Sequence, residues 1–498
     1  MKKVFVFCIG GTGLRVMKSI LMLMAGGTKT QGFTVVPIVI DPHLDLDEKK
    51  NLHDLIEKYE NIHLRSRNNG KDTLNPLDGF FSSELVTLPE LCGEKTDAQQ
   101  DAGSQEKFRS YINTANLASD DINNYLVETL FSTKNLNSSL AVGFKGNPNV
   151  GTVVLGEMIE SASWYRDFKS KCEQGDRVFI ISSIFGGTGA SGFPLLEKMI
   201  HNADNSPAVK SALMGAITVL PYFGLKDPAS TGSDIDSANF YTKTKSALAY
   251  YAGKVTPDYL YYVGETSLKQ VYDNDEQKQD DKAHFVELVA ASAFFHFLEQ
   301  EKPEKPQYLT RAIEENKESL DLSSLGSGYK DLVKSVADGM LLRTLVKVLP
   351  NEKPFPLQKN RRFNDTFYAD QPFEALKQFM NIYEGWYNEL AQNKRAFAPL
   401  HYGNLTSMSD WVKGMTLDAR DDSYYLLQMI MASNQCKKHE HSNQFRYFLQ
   451  FAHEAINHYT KKIKEQIYGK YRPQYSRSWY QWFPVDETRY RSDSRKFG

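Results

Sequence analysis

The sequence predicts an α/β fold: a doubly wound, mostly parallel sheet with a long central helix, followed by a mainly helical C-terminal region. Three observations predict it. Apolar runs of strand length recur along the first 300 residues, several of them leading through a glycine-rich turn into a helix-period segment. The stretch 283–298 is apolar nearly all round, the mark of a buried helix. From residue 329 onward the apolar positions fall at helical spacing.

Residues 3–9 read as a buried strand of the parallel kind. They run into Gly10, Gly11, Thr12 and Gly13, and a helix follows with Leu14, Met17, Ile20, Leu21 and Met24 on one face, ending at Gly26-Gly27. Residues 33–40 are a second strand, closed by Asp41-Pro42. A strand, a glycine turn, a helix and a strand ending in an acid is the layout that sets a phosphate on a helix start and a ribose on a carboxylate. The dinucleotide fingerprint is incomplete, because its third glycine falls on Val16. Residues 43–140 read as a decorated connection, helical near 44–58 and 105–132, turn-like at 68–72 and polar at 93–105.

A second glycine-rich loop spans 142–151, ahead of a helix through Leu155, Met158 and Ile159. A strand at 176–183 leads to the third, Gly186, Gly187, Thr188, Gly189, Ala190, Ser191 and Gly192, with helix predicted over 193–200. Such loops aim backbone N–H groups and a helix start at an anion. The run 216–223 is a strand ending at Pro221; a helix carrying Asn239, Tyr241 and Thr242 and a strand at 258–264 come next. The prolines of 302–306 mark a boundary, dividing the chain into 1–302 and 303–498. Beyond it, Phe373, Leu376, Phe379, Tyr383 and Trp386 form a core stripe, as do Phe445, Phe448, Phe451, Ile456 and Tyr459.

At 498 residues, 41% hydrophobic and 24% charged with a net charge of −2, the composition is that of a globular protein of two or three domains. No basic excess points to nucleic acid. The four cysteines are widely spaced and suggest neither disulfides nor zinc, which fits a reducing, cytoplasmic setting. The N-terminal apolar run, interrupted at Gly10, reads as a strand rather than a signal peptide, and no run is long enough to span a membrane. His439-Glu440-His441 is read as a surface loop, with no metal site. The basic, aromatic tail from Tyr468 to Arg495 has the composition of a nucleic-acid or partner-binding arm and is read as docked on its own domain.

With these loops in order, residues 1–300 resemble the tubulin/FtsZ superfamily of GTPases, in particular its divergent bacterial members. Gly186 to Ala190 and Pro194 match that family's phosphate-loop signature, with Ser191 where the family has glycine. Ile9 to Gly13 resembles the first glycine loop, with Arg15 in place of the asparagine usual in cell-division members. Residues 146–151, including Gly146 and Asn147, resemble the loop near the γ-phosphate, and 218–223 resembles the ribose loop.

The resemblance implies a GTP/GDP and Mg²⁺ site. Asp41 and Pro221 would lie near the ribose, and Phe285, Glu287 and Asn239 near the base. It also implies assembly of the chain with itself, each site completed by an acid from the next subunit; Ser319 to Leu325 is the local match, with Asp321 in the catalytic place. The C-terminal helical region is left as the place for a protein partner. Two other readings stand: a nucleotide-binding scaffold without catalysis, and an NAD(P)-dependent Rossmann enzyme, which uses Gly10 to Gly13 and Asp41 but neither of the later loops.

Overall fold

A computed structural model describes residues 2–43, 47–67, 79–93, 106–118, 121–141, 143–144, 146–226, 239–265, 270–272, 282–311, 319–320, 330–351, 363, 365–397, 443–468 and 483–484. Six parallel strands form the central sheet: β1 (Lys3–Ile9), β2 (Thr34–Ile40), β3 (Arg177–Ser183), β4 (Leu213–Val219), β5 (Tyr259–Val263) and β6 (Gln307–Arg311). Their spatial order is β2-β1-β3-β4-β5-β6, and Phe483–Pro484 pairs antiparallel with the outer edge of β6. A single parallel bridge from Val35 to Leu85 continues the sheet beyond β2.

Every strand of the sheet's middle is buried on both faces, which is why its sequence is an unbroken apolar run. The side chains still alternate. On β1, Val4, Val6 and Cys8 enter one core, while Phe5, Phe7 and Ile9 enter the other.

The first core packs the sheet against α1 (Gly10–Ala25), α2 (Asp47–Ser66) and α6 (Phe285–Leu298). It also takes in α7 (Lys330–Val348), α8 (Gln371–Gln392) and α9 (Gln444–Tyr468). The second packs it against α3 (Pro148–Ser161), the helix Ser163–Lys171, α4 (Gly187–His201) and Tyr251 of α5 (Phe240–Lys254).

The all-round apolar helix predicted at 283–298 is α6, with every residue except His296 buried. Phe179 of β3 meets Phe294 and Phe297 of α6 at ring-centroid distances of 5.5 and 5.3 Å. Gly215 of β4 makes room for it: a Cβ there stands 2.6 Å from the Phe297 ring.

The structure departs from the sequence reading in three places. The helix predicted at 105–132 is broken into Phe108–Tyr111, the turn Thr114–Asn116 and Ile122–Leu130, because Asn113 adopts a left-handed φ of 56°. The helices predicted to begin after the glycine loops begin within them, at Gly10 and Gly187. The prolines at 302–306 do not end the sheet, since β6 joins β5 just beyond them. Gln307, Tyr308 and Thr310 are only half-buried, so β6 shows no apolar run.

Candidate functional site

Chain connections reverse direction between β1 and β3. The helix after β1 lies on one face of the sheet and the helix after β3 on the other. In open α/β sheets the crevice outside the strand ends at such a switch point is where ligands bind. Here that crevice is lined by glycine.

Gly10 leaves β1 with a φ of +72°, turning the chain directly into α1. A Cβ on Gly10 lies 3.3 Å from Thr188 Cβ and 3.4 Å from Gly189 N, so the starts of α1 and α4 touch. The second glycine loop, that of Phe144 and Gly146, joins them, because a Cβ on Gly187 stands 2.9 Å from Phe144 Cβ and 3.0 Å from Gly146 N. Loops at 10–13, 143–151 and 186–192 are thus brought together, the first more than a hundred residues before the other two.

The three helix starts share one electrostatic character. The N-caps of α1, α3 and α4 are Ile9, Asn147 and Gly186; none makes a side-chain cap hydrogen bond, and none of the three helices carries an acid in its first turn. Three other long helices are compensated, since Asp47 and Glu48 begin α2, Asp370 caps α8, and α6 has a complete capping box of His284 and Glu287, whereas Ser163–Lys171 and α5 are also uncapped and acid-free. At the crevice the positive ends of three helices meet without internal acids, which is the electrostatic form of an anion site.

Around this crevice the predicted residues take distinct places. Gly10, Gly11, Thr12 and Gly13 form the first turn of α1. Gly187, Thr188, Gly189 and Ala190 form that of α4, after Gly186 as its cap. Ser191, one turn on, donates its hydroxyl to Gly187 O at 2.7 Å, and Gly151 of α3 leaves the space it occupies. Asp41 is buried at the end of β2, where Oδ1 accepts from His43 N at 2.9 Å and its carbonyl accepts from Lys49 Nζ at 3.1 Å. Pro221 is buried just past β4, its carbonyl accepting from Glu265 N at 3.2 Å, and Asn239 is the exposed N-cap of α5.

Of the three base-side candidates, Phe285 and Glu287 are enclosed by the chain's own groups. Phe285 is buried against Phe397, with centroids 5.1 Å apart. Glu287 Oε1 accepts from Arg15 Nε at 2.8 Å and from the Tyr222 hydroxyl at 2.6 Å, while Oε2 accepts from His284 N at 3.0 Å. Arg15 in turn donates from Nη2 to Tyr222 Oη at 3.0 Å and Thr12 Oγ1 at 3.3 Å, and from Nη1 to Glu48. Burial pushes the Glu287 carboxyl up, opposed by the Arg15 charge and by the Tyr222 and His284 hydrogen bonds. His284 is pushed down to about 3, first by burial and then by Arg395 and Arg15. Asp321, the catalytic candidate, lies outside the described residues, as do His439 to His441 and most of the tail.

Sequence reasoning passed over Lys243, in the first turn of α5, whose Nζ donates to Gly146 O at 2.7 Å. It also passed over the buried pair Arg395 and Glu265, joined at 2.5 Å. Both link positions more than ninety residues apart, and no local pattern signals such a contact.

No protein-family model matches the chain, and no curated protein matches it. Among the described residues no helix is long and apolar enough to cross a membrane, and no group of three or more His, Cys, Asp and Glu side chains is placed to hold a metal ion.

Proposed function

We propose that the crevice binds a nucleotide, with GTP and GDP as its ligands, and that the chain is a tubulin/FtsZ-like protein. It would act by assembly with itself or as a nucleotide-controlled switch. The observation that carries this reading is the convergence of three acid-free, uncapped helix starts on one glycine-lined crevice at the switch point of the sheet. A polyphosphate is the ligand that uses all three. The NAD(P) alternative employs the first loop alone, yet Gly10, Thr188 and Gly146 belong to one surface.

The residues fit the phosphate part of this ligand. Thr12 and Thr188 bring hydroxyls, and a side chain at Gly187 or Gly189 would strike Phe144 and Gly146 or the Ser183 backbone, so the close packing that forms the cradle requires glycine at both. A Mg²⁺ ion here would take most of its ligands from phosphate oxygens and water, as this ion commonly does. The chain's own part is to bind, orient and neutralise the phosphates through backbone N–H groups. Hydrolysis, in this proposal, needs Asp321 of a neighbouring copy to place the attacking water.

Calorimetry on the full chain with GTP, ATP and NAD tests the reading; binding of NAD without GTP would sink it. Phosphate release measured across protein concentrations tests the shared site. Specific activity that rises with concentration and vanishes in Asp321→Ala is the expected result, and concentration-independent turnover counts against a site completed by a second copy.

A further inference from the structure

We infer that Lys243 is the residue that tells a triphosphate from a diphosphate. The inference rests on the nucleotide reading of the crevice and concerns the outermost phosphate alone.

Lys243 lies in the first turn of α5, a helix outside the three that form the cradle, and that turn also lacks an acid. Its ammonium reaches across to Gly146 O at 2.7 Å. Gly146 has a φ of +73°, which favours glycine, and a Cβ there would stand 3.0 Å from Lys243 Nζ, so the ammonium lies close against this residue. Gly146 N in turn faces the start of α4, 3.0 Å from the Cβ position of Gly187. The charge therefore sits at the Gly146 side of the cradle, on the residue that packs against the central phosphate turn.

At α1 the chain's own groups already occupy the interior: Arg15, Tyr222 and Glu287 are all buried and hydrogen-bonded to one another, and Arg15 reaches Thr12 Oγ1 at 3.3 Å. A phosphate chain laid across the starts of α1 and α4 accordingly ends toward Gly146. There it meets an ammonium already held in place by a carbonyl oxygen. A phosphate oxygen is the stronger, charge-assisted acceptor, and an ammonium carries three donors. A third phosphate thus recruits Lys243 from the Gly146 carbonyl or shares it. A diphosphate, seated on α1 and α4, leaves the Lys243–Gly146 contact as it is. The same exchange ties α5 to the state of the nucleotide.

The test compares GTP and GDP, each with Mg²⁺, on the full chain by calorimetry. Lys243→Gln is expected to lose about tenfold or more in GTP affinity, the scale of one hydrogen bond to a charged group, and to keep GDP affinity within about twofold. Lys243→Arg is expected to restore most of the GTP affinity. A second measurement needs no variant: GTP, and not GDP, should slow labelling of Lys243 by an amine-directed reagent, read by mass spectrometry of the wild-type chain. Equal effects of the two nucleotides on the variant or on labelling overturn the assignment and leave the crevice reading intact. A wild-type chain that binds neither GTP nor GDP overturns the crevice reading, and the role of Lys243 with it.

Discussion

Arg15 Nε meets Glu287 Oε1 at 2.8 Å with the two side chains 7% and 1% exposed, which joins the second turn of α1 to the first turn of α6 inside the core. Removing one partner strands the other charge away from water. Arg15→Ala is expected to cost about 3–5 kcal/mol in chemical denaturation. The double replacement Arg15→Met with Glu287→Leu should recover part of that loss, since the buried pair is gone while Glu48, Tyr222 and the His284 N–H still lose a partner. A double variant as unstable as Arg15→Ala would show that the pair does not act as a unit.

The crevice glycines separate steric need from mere flexibility. A Cβ on Gly189 lies 2.7 Å from both Ser183 N and Ser183 O, which are backbone atoms that cannot step aside. Gly189→Ala should therefore destabilise the chain by about 1–3 kcal/mol and abolish nucleotide binding. Gly385, exposed on α8 with nothing within 4 Å of its Cβ position, is the control. Gly385→Ala should stabilise by about 0.5–1 kcal/mol, because alanine loses less backbone entropy in a helix. Melting temperatures of the two variants should move in opposite directions.

The stability contributed by His63 and His284 should fall as pH drops below 6.5, against the opposite trend of Glu60, whose carboxyl is pushed up to about 8 by burial. His63 and His284 are both buried, and burial lowers the pKa of each, to about 3 for His284. Their folded-state values lie below the unfolded value of 6.5, so below that pH the unfolded chain binds more protons. The stabilisation is full above pH 6.5 and declines as pH falls, by up to about 1.4 kcal/mol per pH unit for each histidine. His284→Asn keeps an oxygen to accept from Val286 N and removes the titration. Urea unfolding between pH 6.5 and 5 should then show a clearly shallower slope for that variant; an unchanged slope would mean that His284 protonates without unfolding.

A fragment ending at residue 302 should not behave as an independent folded unit. Leu342, Leu345, Phe379 and Phe448 share one core with Ile20 and Tyr59, and cutting after α6 uncovers that surface and removes β6. Dye binding to exposed apolar surface and a broadened melt are expected. Sharp, reversible melting of the 1–302 fragment would refute this.

Much of the fold was legible because it is written in local patterns. Residues 3–9 and 176–183 announce buried strands by unbroken apolar runs, and 283–298 announces a buried helix by having no polar face. The edge strand β6 was not legible, since a half-buried strand reading Gln-Tyr-Leu-Thr-Arg has neither an apolar run nor clean alternation. The glycine loops were legible as motifs; their meeting was not, because it depends on β1 and β3 being neighbours. Least legible were the contacts that close the site. Lys243 touches Gly146 and Arg395 touches Glu265 across long separations, and each is an unremarkable residue in its own stretch of chain.

α1 carries a mechanical consequence. Its 16 residues form a rod about 24 Å long. One end is Gly10 in the crevice, and at the other Gly26 sits so close to Ser335 of α7 that a Cβ there would strike the Ser335 carbonyl. No proline interrupts the helix between these ends. If the proposed ligand shifts Gly10 along the axis, the same helix would carry that shift to Ser335, which makes it a pushrod between the glycine crevice and the C-terminal helices.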